Sequence, residues 1–159
     1  MIGKNSYRKK EILLLANLRK NGRATLTELS QQTDVPISTV HDKLKNQTLI
    51  KKYTCILDFP KLGFTTTANI FLRVKKEDKD MLREHLLRHF NVNSLYKINS
   101  GYDFLVEGIF RNIKELEEFT EELDEKFSIR QKQVYYIIDE IAKECFMGNP
   151  QTAMMVLDA

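Results

Sequence analysis

A chain of 159 residues with 42% hydrophobic content can fill one large core or two small ones, which excludes a disordered protein. Its net charge of +3 conceals a split: residues 1–53 hold eleven Lys and Arg against four acids, and the remainder holds fourteen against eighteen. A basic front of this kind meets a polyanion, unless it is chance clustering on a solvated surface. No apolar run approaches the ~20 residues of a membrane span.

Residues 6–19 read as a first helix, with Ile12, Leu15 and Leu18 on one face and Leu13, Leu14 and Ala16 widening it. Asn21-Gly22 ends it, and Arg19 and Lys20 stand near the negative end of its dipole. Thr25 followed by Glu28 is a capping box, so a second helix starts there with Leu26 and Leu29 on its apolar side. It runs out at Thr33-Asp34. Pro36 has no amide hydrogen to continue it, and a third helix starts near that proline. Ile37, Val40 and Leu44 predict one buried stripe on the third helix. The other face carries Ser38, Thr39, Asp42, Lys45 and Asn46, with His41 and Lys43 on the flanks.

A short, polar-faced helix after a tight turn is the helix-turn-helix layout, whose second helix enters the major groove of DNA. Two ordinary core helices with solvated faces give the same local pattern. The basic front favours DNA. Base contacts then fall to Ser38, Thr39, His41, Asp42 and Lys45, and phosphate contacts to Arg23, Lys43, Lys51 and Lys52.

From Ile50 to Leu57 the period turns from helical to alternating, which predicts a strand, or a short hairpin arm, serving as wing and linker. Asp58-Phe59-Pro60-Lys61-Leu62-Gly63 is a turn-rich hinge. Beyond it the order is strand 66–74, helix 77–90, strand 92–98, strand 102–110, a helix opening at Arg111 or Asn112, and strand 129–138. That is the βαββαβ, ferredoxin-like sandwich. The fold class is therefore α+β, an N-terminal winged helix-turn-helix domain followed by a ferredoxin-like domain. The expected divisions are 1–53 for DNA binding, 54–63 for arm and hinge, 64–144 for oligomerisation and effector binding, and 145–159 for a tail. The tail either packs on a neighbouring subunit or is disordered. One sheet face packs on the helices. Phe71, Leu105, Ile109, Tyr135 and Ile137, or their opposites in register, are assigned to the other, and an apolar outer face calls for a second layer, most simply another copy of the chain.

Catalytic machinery is not legible. His85 and His89 have a spacing that suits a metal, but Leu86-Leu87-Arg88 between them lacks the glutamate of the zinc-protease motif, and no third ligand is evident. Two amphipathic residues at the edge of the core explain the pair as well. Cys55 and Cys145 match no metal spacing, and with no signal sequence they suggest a reducing cytoplasm. No metal, cofactor or catalytic residue is assigned, and the chain is expected not to be an enzyme.

The chain resembles the Lrp/AsnC family, the leucine-responsive and feast/famine regulators of bacteria and archaea. The resemblance rests on Ile12-Leu13, Asn21-Gly22-Arg23, Leu29, Val40, Lys43-Leu44, Leu49-Ile50, Leu57-Asp58, Lys61-Leu62-Gly63 and Tyr102-Asp103, in that order over residues 6–144. It implies a transcription regulator whose partners are double-stranded DNA and itself, as a homodimer or as a tetramer or octamer built from dimers. It also implies an amino acid or other small molecule as effector, at Ser100, Gly101, Tyr102 and Asp103. Tyr102 is either a strand-edge packing residue or a ligand contact, and Asp103 either caps the turn or receives the effector's amino group. Three features depart from the family's pattern. Pro36 stands where Ser or Asn usually caps, Ser100-Gly101-Tyr102-Asp103 replaces Gly-Asp-Tyr-Asp, and Lys132, Gln133 and Val134 replace threonines. The last two predict either a ligand other than the usual amino acids or none. The alternative function is a small-molecule sensor whose helix-turn-helix docks a protein instead of DNA.

Overall fold

Three helices open the chain: α1 (Ile2–Lys20), α2 (Leu26–Thr33) and α3 (Ile37–Lys45). The structure is a computed structural model that describes residues 2–155, with side chains from residue 9. The capping box at the start of α2 forms as the sequence requires. The Thr25 hydroxyl accepts the Glu28 amide at 3.2 Å, and the Glu28 carboxylate accepts the Thr25 amide at 2.6 Å. The Thr25 amide, with the Thr25 hydroxyl donating at 3.0 Å, holds the Glu28 carboxyl below its usual range. A cap of this type stabilises a helix by about 0.5–2 kcal/mol.

The core of this unit is Leu14, Leu29, Val35 and Val40, with Leu18, Ala24, Leu26 and Leu44 packed around it. Two expectations are corrected here. On α1 the core-facing line runs through the buried Leu14 and the half-buried Leu18, one turn apart; Leu18 keeps its expected place, whereas Leu14 takes the centre from Ile12 and Leu15, which are half-buried outside this cluster. On α3 the first residue, Ile37, is 47% exposed, and Val35 in the preceding turn takes the core position instead. Side chains lean toward a helix's N-terminus, and at Ile37 no earlier turn of α3 lies beneath the side chain.

Residues 50–58 form no strand, so the expected wing strand is absent among the described residues. Lys51 to Asp58 are exposed throughout, and no neighbouring strand closes a hydrogen-bond ladder with them.

A second compact unit spans Leu57–Glu140. It contains β1 (Thr66–Val74), α4 (Lys79–Arg88), β2 (Val92–Lys97), β3 (Phe104–Phe110), α5 (Ile113–Lys126) and β4 (Ile129–Tyr136). The strands form one antiparallel sheet in the order β2-β3-β1-β4. This is the ferredoxin-like arrangement. β1 alternates as its sequence demands: Ala68, Ile70, Leu72 and Val74 are buried among Leu82 and Leu86 of α4 and Leu116, Phe119 and Leu123 of α5. Asn112 caps α5 by accepting the Glu115 amide at 3.0 Å. Gly108 leaves room for a ring, since a Cβ there would lie 2.5 Å from Phe110. The helix expected from Glu77 starts later, after one 3₁₀ turn at Lys76–Asp78. It stops at Arg88, because His89 is extended.

The face of the sheet away from the helices carries Phe71, Leu105, Ile109, Tyr135 and Ile137, which decides between the two registers the sequence left open. Phe71 meets Tyr102 and Tyr135 edge-on, with ring centroids 5.6 Å apart in both pairs. Ile109 is buried, Phe71 and Leu105 are half-buried, and Tyr135 is exposed.

Among the described residues, those from Ile141 onward cluster with those up to Ile56. A final short helix, α6 (Pro150–Ala153), lies against α1 and buries Ala153. Asn149 caps it through the Gln151 amide at 2.9 Å. The chain therefore leaves the helical unit, builds the sheet unit and returns.

Candidate nucleic-acid interface

The turn between α2 and α3 is three residues long and held from several sides. Asp34 adopts the left-handed conformation with φ 51°, which Asp tolerates better than most residues. The Ser30 carbonyl accepts from the Asp34 amide and, at 3.3 Å, from the Val35 amide. Two carbonyls of the turn have no helical partner, and each receives a side chain. Lys10 on α1 donates its ammonium to the Asp34 carbonyl at 2.9 Å, and Ser30 donates its hydroxyl to the Val35 carbonyl at 2.6 Å. Pro36 then opens α3 with no side-chain cap, and its carbonyl accepts the Val40 amide at 3.0 Å.

With Val40 fully buried, α3 turns Ser38, His41, Asp42 and Lys45 to solvent. Thr39 and Lys43 sit half-buried at the edge of that face. The Asp42 carboxylate lies 3.3 Å from His41 Nδ1, and both side chains are mostly exposed. Asp42 thus meets its neighbour His41 rather than pairing with Lys45. Arg23 is exposed in the α1–α2 connection, and Lys51 and Lys52 are exposed on the extended segment after α3. Lys10 and Ser30 were not singled out from sequence. Ser30 carries a weak signal, a hydroxyl in the last turn of a helix. Lys10 carries none beyond its charge, because its partner lies 24 residues away.

The second candidate group sits in the sheet unit. Ser100 and Gly101 form the β2–β3 turn, both with positive φ, 59° and 97°. The latter suits glycine and leaves the backbone open, with nothing within 4 Å of a Cβ placed there. Tyr102 turns back onto Phe71, and its hydroxyl accepts from Gln131 Nε2 at 2.9 Å. Asp103 points away from the turn. Its carboxylate accepts the Val74 amide at 3.0 Å and pairs with the Lys79 ammonium. Burial would raise the Asp103 carboxyl, but Lys79 and the Val74 amide outweigh it and hold it below the usual carboxylate range. Asp103 therefore ties β1 to α4, and a ligand ammonium there would have to displace Lys79.

His85 and His89 both face Glu122, at 3.5 and 3.9 Å, and pack against Phe127 and Phe119 respectively. His89 Nδ1 accepts the Asn91 amide at 3.3 Å, so the proton of the neutral ring lies on Nε2. That tautomer offers no lone pair toward Glu122. Among the described residues no group of three His, Cys, Asp or Glu side chains has the geometry to hold a metal. No helix among them is long and apolar enough to cross a membrane.

The chain is similar to known proteins in sequence and fold. Residues 8–46 match the winged helix-turn-helix DNA-binding family. An uncharacterized HTH-type transcriptional regulator of Pyrococcus furiosus is 32% identical over 117 residues, which cover 70% of this chain and 76% of that protein. Among solved structures, a transcriptional regulator of Neisseria meningitidis in complex with L-Met superposes with a TM-score of 0.77 at 18% identity, over 84% of this chain and 91% of that one. LrpC of B. subtilis superposes with a TM-score of 0.75 at 20% identity, over 84% of this chain and 96% of that one.

Proposed function

The chain belongs to the HTH-type transcriptional regulators, in the two-domain fold of the Lrp/AsnC proteins, and from that premise we propose how it reads DNA. Helix α3 enters the major groove of double-stranded DNA with Ser38 and Asp42 toward base edges, Thr39 beside them, and His41 and Lys45 flanking. Arg23, Lys43, Lys51 and Lys52 contact phosphates and set the register without reading sequence. The observation that carries this is the exposed polar face of α3, fixed to α2 by a braced three-residue turn. A protein-docking role for that face is not favoured, because the basic residues cluster in the same unit.

The working form in this reading is a cytoplasmic homodimer or larger assembly, with the outer face of the sheet as the contact between copies. Phe71, Leu105 and Tyr135 supply its apolar surface, and a two-fold pair hides the same patch on both copies. The chain acts by binding and not by catalysis. A small-molecule effector is part of the proposal because one protein of this fold was solved with L-Met. In this reading the open backbone of Ser100 and Gly101, with Tyr102 beside it, takes the ligand, because the Asp103 carboxylate is already engaged by Lys79.

Selection of bound fragments from a random duplex pool, repeated with single amino acids added, tests the reading. Enrichment of one motif supports it, and a change of yield with one amino acid identifies the effector. A pool that remains random after repeated rounds would sink the DNA role.

A further inference from the structure

We infer that Lys10 is a positioning residue for DNA recognition and not one of the cations that neutralise phosphate. The inference rests on the DNA-binding reading above. Charge alone places Lys10 with the basic front, yet its exposed ammonium also donates within the chain, to the Asp34 carbonyl at 2.9 Å.

Asp34 is the one residue of the turn whose backbone is left-handed, and its carbonyl falls outside both helices. The next carbonyl, of Val35, is held by the Ser30 hydroxyl at 2.6 Å. Any swing of α3 relative to α2 rotates the peptides at Asp34 and Val35 and pulls one of these oxygens from its donor. Val35 and Val40 anchor the two ends of the same segment in the core. Lys10 stands one turn before the buried Leu14 on α1, so its stem runs along the face that packs on this core. The brace thus ties the direction of α3 to α1. Base readout requires side chains placed to a few tenths of an ångström, whereas phosphate attraction tolerates a swing of the helix. A positioning lysine therefore affects sequence discrimination and leaves the ionic component of binding alone.

The salt dependence separates the two roles, because each phosphate contact adds about 0.9 to the slope of log affinity against log salt. The test uses the full chain, the duplex selected by the parent protein and a random duplex of equal length. The variants are Lys10→Met, which keeps the stem and removes the donor, Lys10→Arg, which restores a donor, and Lys52→Ala as a phosphate-contact control. All are measured below their unfolding transitions. Lys10→Met is expected to bind the selected duplex about three- to tenfold more weakly, the loss of one hydrogen bond. Its salt slope and its affinity for random duplex should match the parent's, and Lys10→Arg should recover most of the loss. Ser30→Ala should show the same pattern. A slope lowered by about one unit in Lys10→Met, as in Lys52→Ala, makes Lys10 a phosphate contact and overturns the inference. Unchanged affinity for the selected duplex overturns it too. If the parent protein selects no duplex at all, the DNA-binding reading itself fails and takes the positioning role with it.

Discussion

Arg19 donates to the carbonyl of Glu144 at 3.1 Å and to its carboxylate at 2.8 Å, joining residues 125 positions apart. The pair pins the returning tail to the end of α1. Both side chains are substantially exposed, so the ion pair alone is worth little, on the order of 0–1 kcal/mol. Deleting everything after Glu140 removes more, because it uncovers the side of α1 against which α6 lies. Glu144→Ala should leave the unfolding temperature nearly unchanged, whereas the truncation should lower it and speed amide exchange along α1. Unaltered exchange in the truncated chain would show that the tail is ornamental to this unit.

Asp42 and Lys52 should fail in different ways. An ionised carboxylate at a base edge only accepts, and cytosine N4 is the donor in the major groove that suits it. Asp42→Ala should relax preference at one base pair by about 1–3 kcal/mol without a general loss of affinity. Lys52→Ala should weaken all sequences about equally and reduce the salt slope by about one unit. Overlaying selected-site profiles of the parent and Asp42→Ala would make Asp42 a bystander and leave readout to Ser38, Thr39 or His41.

Self-association should depend on the outer face of the sheet. Tyr135 is exposed on it and packs edge-on against Phe71. A charge at that position would be desolvated in any face-to-face pair, at a cost of several kcal/mol. Tyr135→Lys in the full chain should sediment as a monomer at micromolar concentration where the parent does not. A parent that is itself monomeric, or a variant that stays associated, rules out this face.

Burial lowers the pKa of His89, and the nearby charges of His85 and Lys126 add to the effect, while Glu122 and Glu115 oppose it. The folded value lies below the unfolded one near 6.5, so the unfolded chain binds more protons between the two. Stability linked to His89 is intact above about pH 6.5, declines as pH falls through that window, and reaches its floor below the folded pKa. The slope is at most ~1.4 kcal/mol per pH unit. Protonation also puts a hydrogen on Nδ1, where the Asn91 amide already donates. Chemical denaturation between pH 7.5 and 5 should show the decline in the parent and a shallower one in His89→Gln. Parallel curves would assign the acid sensitivity to other groups.

Thr25 with Glu28 and the alternation of β1 were legible because each is fixed within one turn of helix or two residues of strand. The βαββαβ order followed from those local periods, but the choice of Asn112 over Arg111 as the cap of α5 and of Phe71 and Tyr135 for the outer face came from the structure. The polar set on α3 was legible too, apart from Ile37, whose core place Val35 takes. Only the tertiary structure decided the long-range pairings. Lys10 finds the Asp34 carbonyl, Asp103 finds Lys79 and the Val74 amide, and Arg19 finds Glu144. The exposed run 51–57 shows the same limit from the other side, since an alternating sequence makes a strand only where a neighbour closes its ladder. Backbone geometry sets periods and caps from residues a few positions apart. Which distant side chain reaches an orphaned carbonyl or carboxylate depends on how the elements pack, and no local pattern encodes that.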